Sequence, residues 1–231
     1  MPVKPLDYTT RILMECDNQV QEAYRIKACS KEPWTVAFIE SIPRGQWFVD
    51  VGANVGPYTL VAVSRGVKVL ALEPSPSNFA GLWRNLLLNN WGDHALIQCV
   101  AAGPAPAWNW LHFADVRPGG ASHVFGPDLK INHHRSMVPT ETLDRLTEPL
   151  SDGDLWLKID VDGCELLVLQ GATKLLADAR LKGLLIEINR ENEQSVLDYV
   201  QAQGWVGSER FDHRGESQIG NVVYWQFKRA E

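Results

Sequence analysis

Two acidic residues and a glycine-rich turn mark the stretch of this sequence that is best suited to hold a ligand. Asp50 ends an apolar run, and Gly52, Asn54 and Gly56 follow it. The glycines can adopt backbone conformations that a Cβ forbids, so a ligand can approach the main chain there. Glu73, about 20 residues past the first glycine, ends a second apolar run. A carboxylate at that spacing is placed to accept hydrogen bonds from both hydroxyls of a ribose.

The spacing of this turn excludes two familiar phosphate-binding loops. It reads D-x-G-x-N-x-G, which lacks the G-x-G-x-x-G of a dinucleotide site and the Gly-Lys-Ser/Thr of a P-loop. An acidic group at its start would also repel phosphates. The pattern therefore favours a ligand with cationic and hydroxyl groups, such as S-adenosylmethionine (SAM), which carries an ammonium, a sulfonium and a ribose. The alternative is a tight strand-to-helix turn that binds nothing.

A second group of ionisable residues follows another apolar run, at residues 155–166. Asp160 and Asp162 are the first candidates for a general base, and two neighbouring carboxylates are expected to raise each other's pKa toward neutrality. Lys158 is a further catalytic candidate, although a lysine in mid-strand also suits a structural ion pair. Asp162 has an alternative role in capping the helix that follows it. The remaining candidate bases are Glu187, His112 and His123.

A divalent cation is an alternative use of the same strand ends. Asp160, Glu187 and Asn189 offer oxygen ligands of the kind that Mg²⁺ prefers. Magnesium is not the expected cofactor, and the scattered cysteines and histidines indicate no structural metal site.

These groups need a parallel sheet to bring them together. Apolar runs predict strands near residues 47–51, 67–72, 95–102, 155–159 and 182–189, with helices near 55–65, 77–90 and 191–203 between them. Two final strands, near 205–211 and 221–227, are predicted to pair with each other. Strands that alternate with helices imply an α/β fold with a parallel sheet, whose carboxyl ends share one edge.

The pattern also predicts how the chain is divided. Residues 1–45 are expected to form an N-terminal helical cap on a core at residues 46–231. Residues 103–136 interrupt the alternation: residues 108–113 are predicted to form an antiparallel strand, and the rest of the stretch is predicted to be loop. We interpret residues 103–136 as a substrate-side insertion or lid. The alternative is an edge hairpin with a disordered tip. The candidate substrate residues in this stretch are Trp108, Trp110, His112, Ser122 and His123.

Composition narrows the class of protein. A chain of 231 residues with 45% hydrophobic and 22% charged residues is typical of one ordinary globular domain. A net charge of −6 argues against nucleic acid as a partner. No apolar run has the length of a membrane span, and the first residues lack a signal-peptide core. The four scattered cysteines favour reduced thiols and a cytoplasmic location.

Three motifs together resemble the FkbM family of SAM-dependent methyltransferases. They are FVDVGANVG at residues 48–56, Glu73-Pro74, and LKIDVDGCE at residues 157–165. The resemblance implies a Rossmann-like, seven-stranded class I methyltransferase fold, with a mostly parallel sheet, helices on both faces and an antiparallel C-terminal strand. It also implies a cofactor site in which Asp50, Gly52, Asn54 and Gly56 hold the methionine part of SAM, Glu73 and Pro74 lie at the ribose, Val100 and Ala101 meet adenine, and Asp160 lies at the reacting centre.

The same resemblance implies an activity, with alternatives. The leading hypothesis is methylation of a hydroxyl on a sugar, polyketide or similar small molecule. The alternatives are N-methylation of a peptide side chain and a non-catalytic module that binds SAM or a nucleoside. Family members more often have Glu where Asp162 stands, a change that keeps the charge and shortens the reach. No motif indicates an oligomeric state.

Overall fold

The computed structural model describes residues 2–9, 11–121, 124–125, 134–212 and 221–230. The strands in chain order are β1 (Val3–Pro5), β2 (Leu13–Glu15), β3 (Trp47–Val51), β4 (Lys68–Leu72), β5 (Ala95–Gln98), β6 (Ala101–Ala102), β7 (Ala107–Phe113), β8 (Val124–Phe125), β9 (His134–Glu141), β10 (Leu155–Ile159), β11 (Leu181–Asn189), β12 (Trp205–Asp212) and β13 (Val222–Arg229). The α-helices are α1 (Ala28–Lys31), α2 (Pro33–Glu40), α3 (Pro57–Ser64), α4 (Pro76–Leu88), α5 (Leu143–Thr147), α6 (Glu165–Gln170), α7 (Thr173–Ala177) and α8 (Glu193–Ala202). A π-helix spans Gln21–Arg25, and a 3₁₀ turn spans Arg190–Asn192.

A seven-stranded sheet carries the fold, in the order β12-β13-β11-β10-β3-β4-β5. The pairs from β11 to β5 are parallel, and β13 is antiparallel to both of its neighbours. This arrangement confirms the predicted fold class. From β3 the chain moves outward to β4 and β5, and it then returns to β10 on the other side of β3. The strand order therefore reverses between β3 and β10, where open α/β sheets bind ligands beyond their carboxyl ends.

Two apolar clusters cover the two faces of this sheet. One gathers residues of α6, α7 and α8, such as Val168, Leu175 and Val196, against β10 and β11. The other places Phe38 of α2 and Leu60 of α3 against the opposite face. Burial of each such side chain stabilises the fold by roughly 1.5–3 kcal/mol. The predicted helices after β3, β4 and β11 are present as α3, α4 and α8, and α3 and α4 each begin with proline.

A second, smaller sheet has the order β6-β9-β7-β8. It contains the predicted antiparallel strand of residues 108–113, here β7, which pairs with β9 along its whole length. The expectation that the rest of residues 103–136 is loop was wrong for residues 124–125, which form β8, and for residues 134–136, which belong to β9. Within the described parts of the chain, no helix is both long and apolar enough to cross a bilayer.

The predicted third strand, residues 95–102, was wrong in two respects. The strand ends at Gln98, and Ala101 instead pairs with Thr140 in the smaller sheet. It is also an edge strand rather than a buried one, since Leu96 is 51% exposed. A continuous apolar run cannot by itself reveal that the chain changes sheets, because that depends on the partner that β9 supplies.

Candidate functional site

The turn after β3 has the backbone that its glycines predict. Gly52, Asn54 and Gly56 have positive φ values of 82°, 53° and 88°, respectively. A Cβ on Gly52 would lie 1.8 Å from the carbonyl oxygen of Asp160, so only glycine lets the ends of β3 and β10 approach this closely. The turn therefore brings bare main chain to the point where the strand order reverses.

A buried lysine joins the two strands at this edge. Lys158 pairs with Asp50 in the parallel register of β10 and β3, and it shares a strand face with Asp160 two residues later. Its Nζ lies 3.3 Å from Asp50 Oδ1 and 2.9 Å from Asp160 Oδ2. Thr59 Oγ1 donates to the other oxygen of Asp50 at 2.7 Å. Asp50 is fully buried, so any effect it has on a ligand passes through Lys158 and the turn.

The charge on Lys158 decides the ionisation of Asp160. Burial would raise the pKa of Asp160, but attraction to the Lys158 ammonium outweighs burial and lowers that pKa below its ordinary value. Burial likewise opposes the charge on Lys158, yet Asp160 and Asp50 raise its pKa. The expectation that Asp160 and Asp162 raise each other's pKa was therefore wrong for Asp160. Asp162 is exposed, and its charge contributes to raising the pKa of Glu165.

Glu165 begins α6 just beyond these carboxylates and is buried. One of its oxygens accepts a hydrogen bond from the Gly163 amide at 2.9 Å. Burial, with a contribution from Asp162, raises the pKa of Glu165 to about 6. Glu165 thus secures the backbone that leaves β10.

Glu73 lies at the neighbouring strand end and is 4% exposed. Its carboxylate accepts hydrogen bonds from the backbone amides of Asn54 and Ser75, both at 2.8 Å. Burial raises the pKa of Glu73 to about 7, although these amides and the side chain of Asn78 act in the opposite direction. Because an ionised carboxylate offers about four lone-pair directions, two backbone bonds leave room for ligand hydroxyls.

An apolar pocket lies at the carboxyl ends of β3 and β4. It is lined by Pro74, which the resemblance places at the ribose, and by Val100 and Ala101, which the resemblance places at adenine. Its other lining residues are Val51, Gly52, Leu72, Ala102, Val161, Cys164 and Val168. Its lining is almost entirely apolar, which suits contact with the face of a flat aromatic ring.

Asp160 also belongs to a group of three carboxylates that lie close together. Oxygens of Glu32, Asp160 and Glu187 lie within 4.8 Å of one another. Tyr224 donates its hydroxyl proton to Glu187. Burial, followed by the charges of Asp160 and Glu32, raises the pKa of Glu187 well above its ordinary value. The structure thus adds Glu32 to the two strand-end acids Asp160 and Glu187.

The candidate substrate residues are dispersed. Trp108 is 67% exposed and His112 is 3% exposed, and neither lines the apolar pocket. Trp110 packs its ring against the Arg135 guanidinium, with 4.3 Å between the guanidinium carbon and the ring centroid. Ser122 and His123 lie outside the described residues.

Four residues at this edge were not predicted from the sequence. Thr59 donates a hydrogen bond to Asp50, and Tyr224 donates one to Glu187. Asn78 lowers the pKa of Glu73, and Glu32 joins the carboxylates from the N-terminal segment. A signal existed for Asn78, because it shares the buried face of α4 with Leu82 and Asn85 at helical spacing. An amide on an apolar face needs partners, which points to a polar contact. No comparable local signal marks Glu32.

Comparison with known proteins identifies similar sequences. The family model described as "Methyltransferase FkbM domain" matches residues 50–211. The chain is 29% identical over 154 residues to "Methyltransferase 1" of Beauveria bassiana (strain ARSEF 2860), covering 58% of this chain and 61% of that protein. It is 33% identical over 168 residues to "Methyltransferase sdnD" of Sordaria araneosa, covering 58% and 62%. The matches thus span about three fifths of the length of these curated relatives.

Solved structures share the fold at low sequence identity. The precorrin-6y C5,15-methyltransferase of Geobacter metallireducens GS-15 is similar with a TM-score of 0.54 and 12% identity, covering 94% of this chain and 93% of that one. Sp1610 of Streptococcus pneumoniae, solved in complex with S-adenosyl-L-methionine, has a TM-score of 0.54 and 11% identity, covering 86% and 73%. At such identities the likeness shows the Rossmann-like fold alone.

Proposed function

This chain belongs to the methyltransferase FkbM domain family, and on that premise we propose that it transfers a methyl group from SAM to a small acceptor. The proposed acceptor group is a hydroxyl on a sugar, polyketide or similar molecule. One observation carries the proposal: where the strand order reverses, the glycine turn, the buried carboxylate of Glu73 and the apolar pocket lie side by side.

The chemistry of these groups suits SAM. The pocket offers apolar surface for adenine, and Glu73 offers lone pairs for ribose hydroxyls. The Gly52 turn offers main chain for the methionine part, and Asp160 adds a negative charge on the acceptor side. When bound, SAM supplies a methyl group that its sulfonium has already activated.

The protein must then orient the acceptor and remove its proton. Asp160 and Glu187 are the two carboxylates placed for this at adjacent strand ends. Lys158 keeps Asp160 ionised but weakly basic, whereas the raised pKa of Glu187 makes Glu187 the stronger base of the two. We assign Asp160 to orientation and charge stabilisation, and Glu187 with Tyr224 to proton removal.

Small molecules or peptides are the proposed acceptors, rather than nucleic acid or membrane. The net charge of −6 and the carboxylate group of Glu32, Asp160 and Glu187 both disfavour a polyanion at this edge. None of the four cysteines forms a disulfide in the structure, in keeping with the proposed cytoplasmic location.

Calorimetry with SAM and with S-adenosylhomocysteine (SAH) tests the cofactor. Both are expected to bind with one site per chain, and failure of both would remove the proposal. Transfer from methyl-labelled SAM to a panel of sugars, polyketides and peptides, followed by mass spectrometry, then distinguishes O-methylation from N-methylation. Binding without any transfer would favour a non-catalytic module.

Two variants test the roles of the carboxylates once an acceptor is found. Glu187→Gln is expected to lower kcat by about 10²–10⁴-fold, the usual contribution of a positioned base. Asp160→Asn is expected to lower turnover far more than folding stability. A Glu187→Gln enzyme that retains the wild-type rate and pH profile would exclude Glu187 as the base.

A further inference from the structure

A short turn at residues 118–120 connects the N-terminal segment to the glycine turn after β3. Arg25 Nε donates a hydrogen bond to the Gly119 carbonyl at 2.8 Å. The next carbonyl, that of Gly120, accepts a hydrogen bond from Asn54 Nδ2, also at 2.8 Å. Arg25 and Asn54 thus hold consecutive carbonyls, which places Arg25 beside the edge where the strand order reverses.

The π-helix Gln21–Arg25 fixes the position of Arg25, its last residue. Such wide helical turns are often found at functional sites. The side chain of Gln21, at the other end of the π-helix, is fully buried and accepts hydrogen bonds from the Asp17 amide and from Asn18 Nδ2, at 3.0 Å each. A Cβ on Gly119 would lie 3.3 Å from Arg25 Cγ, so the 118–120 turn packs directly on the stem of the arginine.

The outer nitrogens of Arg25 can accept a further partner. Nε is used for the Gly119 carbonyl, whereas Nη1 and Nη2 form no hydrogen bond or ion pair with any of the described residues. Arg25 is only partly buried, so a ligand can reach these groups. A guanidinium is a planar fork that can donate two parallel hydrogen bonds to one carboxylate.

The positive charge of Arg25 acts on two strand ends. Burial is the largest influence on the pKa of both Glu73 and Asp160 and raises it, and Arg25 is among the groups that lower it. Glu73 follows β4 and Asp160 follows β10, on either side of β3. The guanidinium is therefore within electrostatic reach of both carboxylates, between which the glycine turn lies.

The proposed cofactor carries one negative charge, on the carboxylate of its methionine part, which needs a cation in a site that is rich in acids. Lys158, Lys31 and Arg25 are the cations that lower the pKa of Asp160. Lys158 Nζ lies 2.9 Å from Asp160 Oδ2, and Lys31 Nζ lies 3.0 Å from Glu32 Oε1. Of these three cations, Arg25 alone has no acidic partner among the described residues.

We propose that Arg25 binds the carboxylate of the methionine part of SAM through its two Nη groups. The inference rests on the proposed function, since it assumes that SAM is the cofactor. It assigns this carboxylate to the N-terminal segment, which precedes the family match at residues 50–211. The hydrogen bond to Gly119 holds the guanidinium in place before the ligand arrives, which lowers the entropic cost of binding.

Calorimetry with two probes tests the inference: SAM, and decarboxylated SAM, which lacks only this carboxylate. In Arg25→Met, the affinity for SAM is expected to fall about tenfold or more, as when a hydrogen bond to a charged group is lost. The affinity for decarboxylated SAM is expected to fall by no more than about twofold, because this probe has no carboxylate to lose its partner. Equal losses for both probes would show that Arg25 acts only by holding the 118–120 turn. That result, or an unchanged affinity for SAM, would overturn the inference.

Two variants serve as controls. Asn18→Ala removes another side chain that holds the turn, through the 3.0 Å hydrogen bond from Asn18 Nδ2 to the Pro118 carbonyl, and leaves the charge unchanged. It is expected to change the affinities for both probes by the same factor. Lys27→Met removes an exposed positive charge two residues after Arg25, and it is expected to change neither affinity by more than about twofold, because solvent and salt screen exposed charges.

A second substitution covers the case in which Arg25→Met does not fold. Arg25→Lys keeps the charge but has no guanidinium fork, and it is measured with the same probes and criteria. Wild-type protein that binds neither probe would contradict the proposed function itself. Wild-type protein that binds SAM, together with an Arg25→Met variant that binds it equally well, would contradict the role of Arg25 alone.

Discussion

Lys158 is a charged residue that is almost completely buried, with 1% of its surface exposed. It is held there by Asp50 and Asp160, and its Nζ also lies 5.2 Å from the centroid of the Tyr58 ring. A buried charge is tolerated only when partners compensate it. The ionisation of Asp160, and hence its capacity to attract a cationic ligand, depends on this one side chain.

Replacing this lysine tests that dependence. Lys158→Met is expected to lower the free energy of unfolding by about 3–5 kcal/mol at neutral pH, because it leaves buried carboxylates without their counter-charge. Asp160, whose folded-state pKa is lowered, contributes stability above its ordinary pKa of 3.8 and loses it as the pH falls through the folded-state pKa. The deficit of the variant should therefore shrink in acid.

Urea unfolding at several pH values measures this effect. Lys182→Met is the control, since Lys182 forms an exposed ion pair with Asp154 at 3.7 Å, of a kind worth at most about 1 kcal/mol. Equal stability losses in the two variants at neutral pH would show that the buried ion pairs of Lys158 contribute no more than an exposed ion pair.

For Glu73, the expected pH dependence of folding stability has the opposite sign. Its folded-state pKa of about 7 lies above the ordinary value of 4.5, so its contribution to stability is fully present below 4.5 and is lost as the pH rises through 7. The shift corresponds to roughly 3 kcal/mol. Chemical unfolding of Glu73→Gln should lack this component between pH 4.5 and pH 7. Parallel pH profiles for the variant and the wild type would contradict the assigned ionisation.

At the scale of secondary-structure elements, glycines in the turn after β3 let strands and helices pack closely around the site. The end of β3 meets the end of β10 through Gly52, and α3 starts immediately after Gly56, whose own Cβ would lie 2.3 Å from Leu82 Cδ1 of α4. Each glycine removes a Cβ at a contact between elements that are distant in sequence. The strand-to-helix turn can therefore be narrow enough to present main chain at the site.

A pair of glycines with similar backbone angles tests whether this contact matters. Gly52 has φ +82° and no room for a Cβ, while Gly45 has φ +80° and nothing within 4 Å of the position a Cβ would take. Gly45→Ala should cost only the strain of a left-handed residue, about 1–2 kcal/mol. Gly52→Ala should cost several kcal/mol more, or prevent folding. Thermal unfolding measures the stability cost of each substitution. Equal costs for Gly45→Ala and Gly52→Ala would show that the close approach of Asp160 is not the reason for glycine at position 52.

At the scale of the whole molecule, the N-terminal segment shares its core with the sheet. Leu6, Met14 and Ile39 belong to the same apolar cluster as Phe48 and Leu60. The segment also supplies Arg25 to the 118–120 turn and Glu32 to the carboxylates. The sheet and the segment that precedes it therefore build the edge together, although the family match begins at residue 50.

This shared core predicts one cooperative transition. Ile39→Ala in α2 should destabilise the protein by about 2–5 kcal/mol, as should Leu60→Ala in α3, because both side chains are fully buried. Val3→Ala, at a position that is 41% exposed, should change stability by no more than about 0.5 kcal/mol. A separate early transition in Ile39→Ala, seen by calorimetry, would instead show that the segment folds independently.

The amino-acid sequence by itself determined the alternation of strands and helices and the strand ends at which acids collect. Apolar runs, glycine turns and prolines at helix starts act over a few residues, so they can be read locally. The smaller sheet, the early end of β5 and the partners of His112 and Trp110 could not be read in this way, because they depend on β9 and on Arg135.

Only the tertiary structure decided which polar groups compensate one another. Lys158 lies 108 residues from Asp50 along the chain, and Glu32 reaches Asp160 from the N-terminal segment. Strand register places Lys158 between Asp50 and Asp160, and it places Glu187 beside Tyr224. Helix packing places Asn78 where it bonds to both Gly119 and Gly120. Ionisation follows from those distances, which is why a sequence that correctly located the carboxylates predicted the wrong direction for the pKa of Asp160.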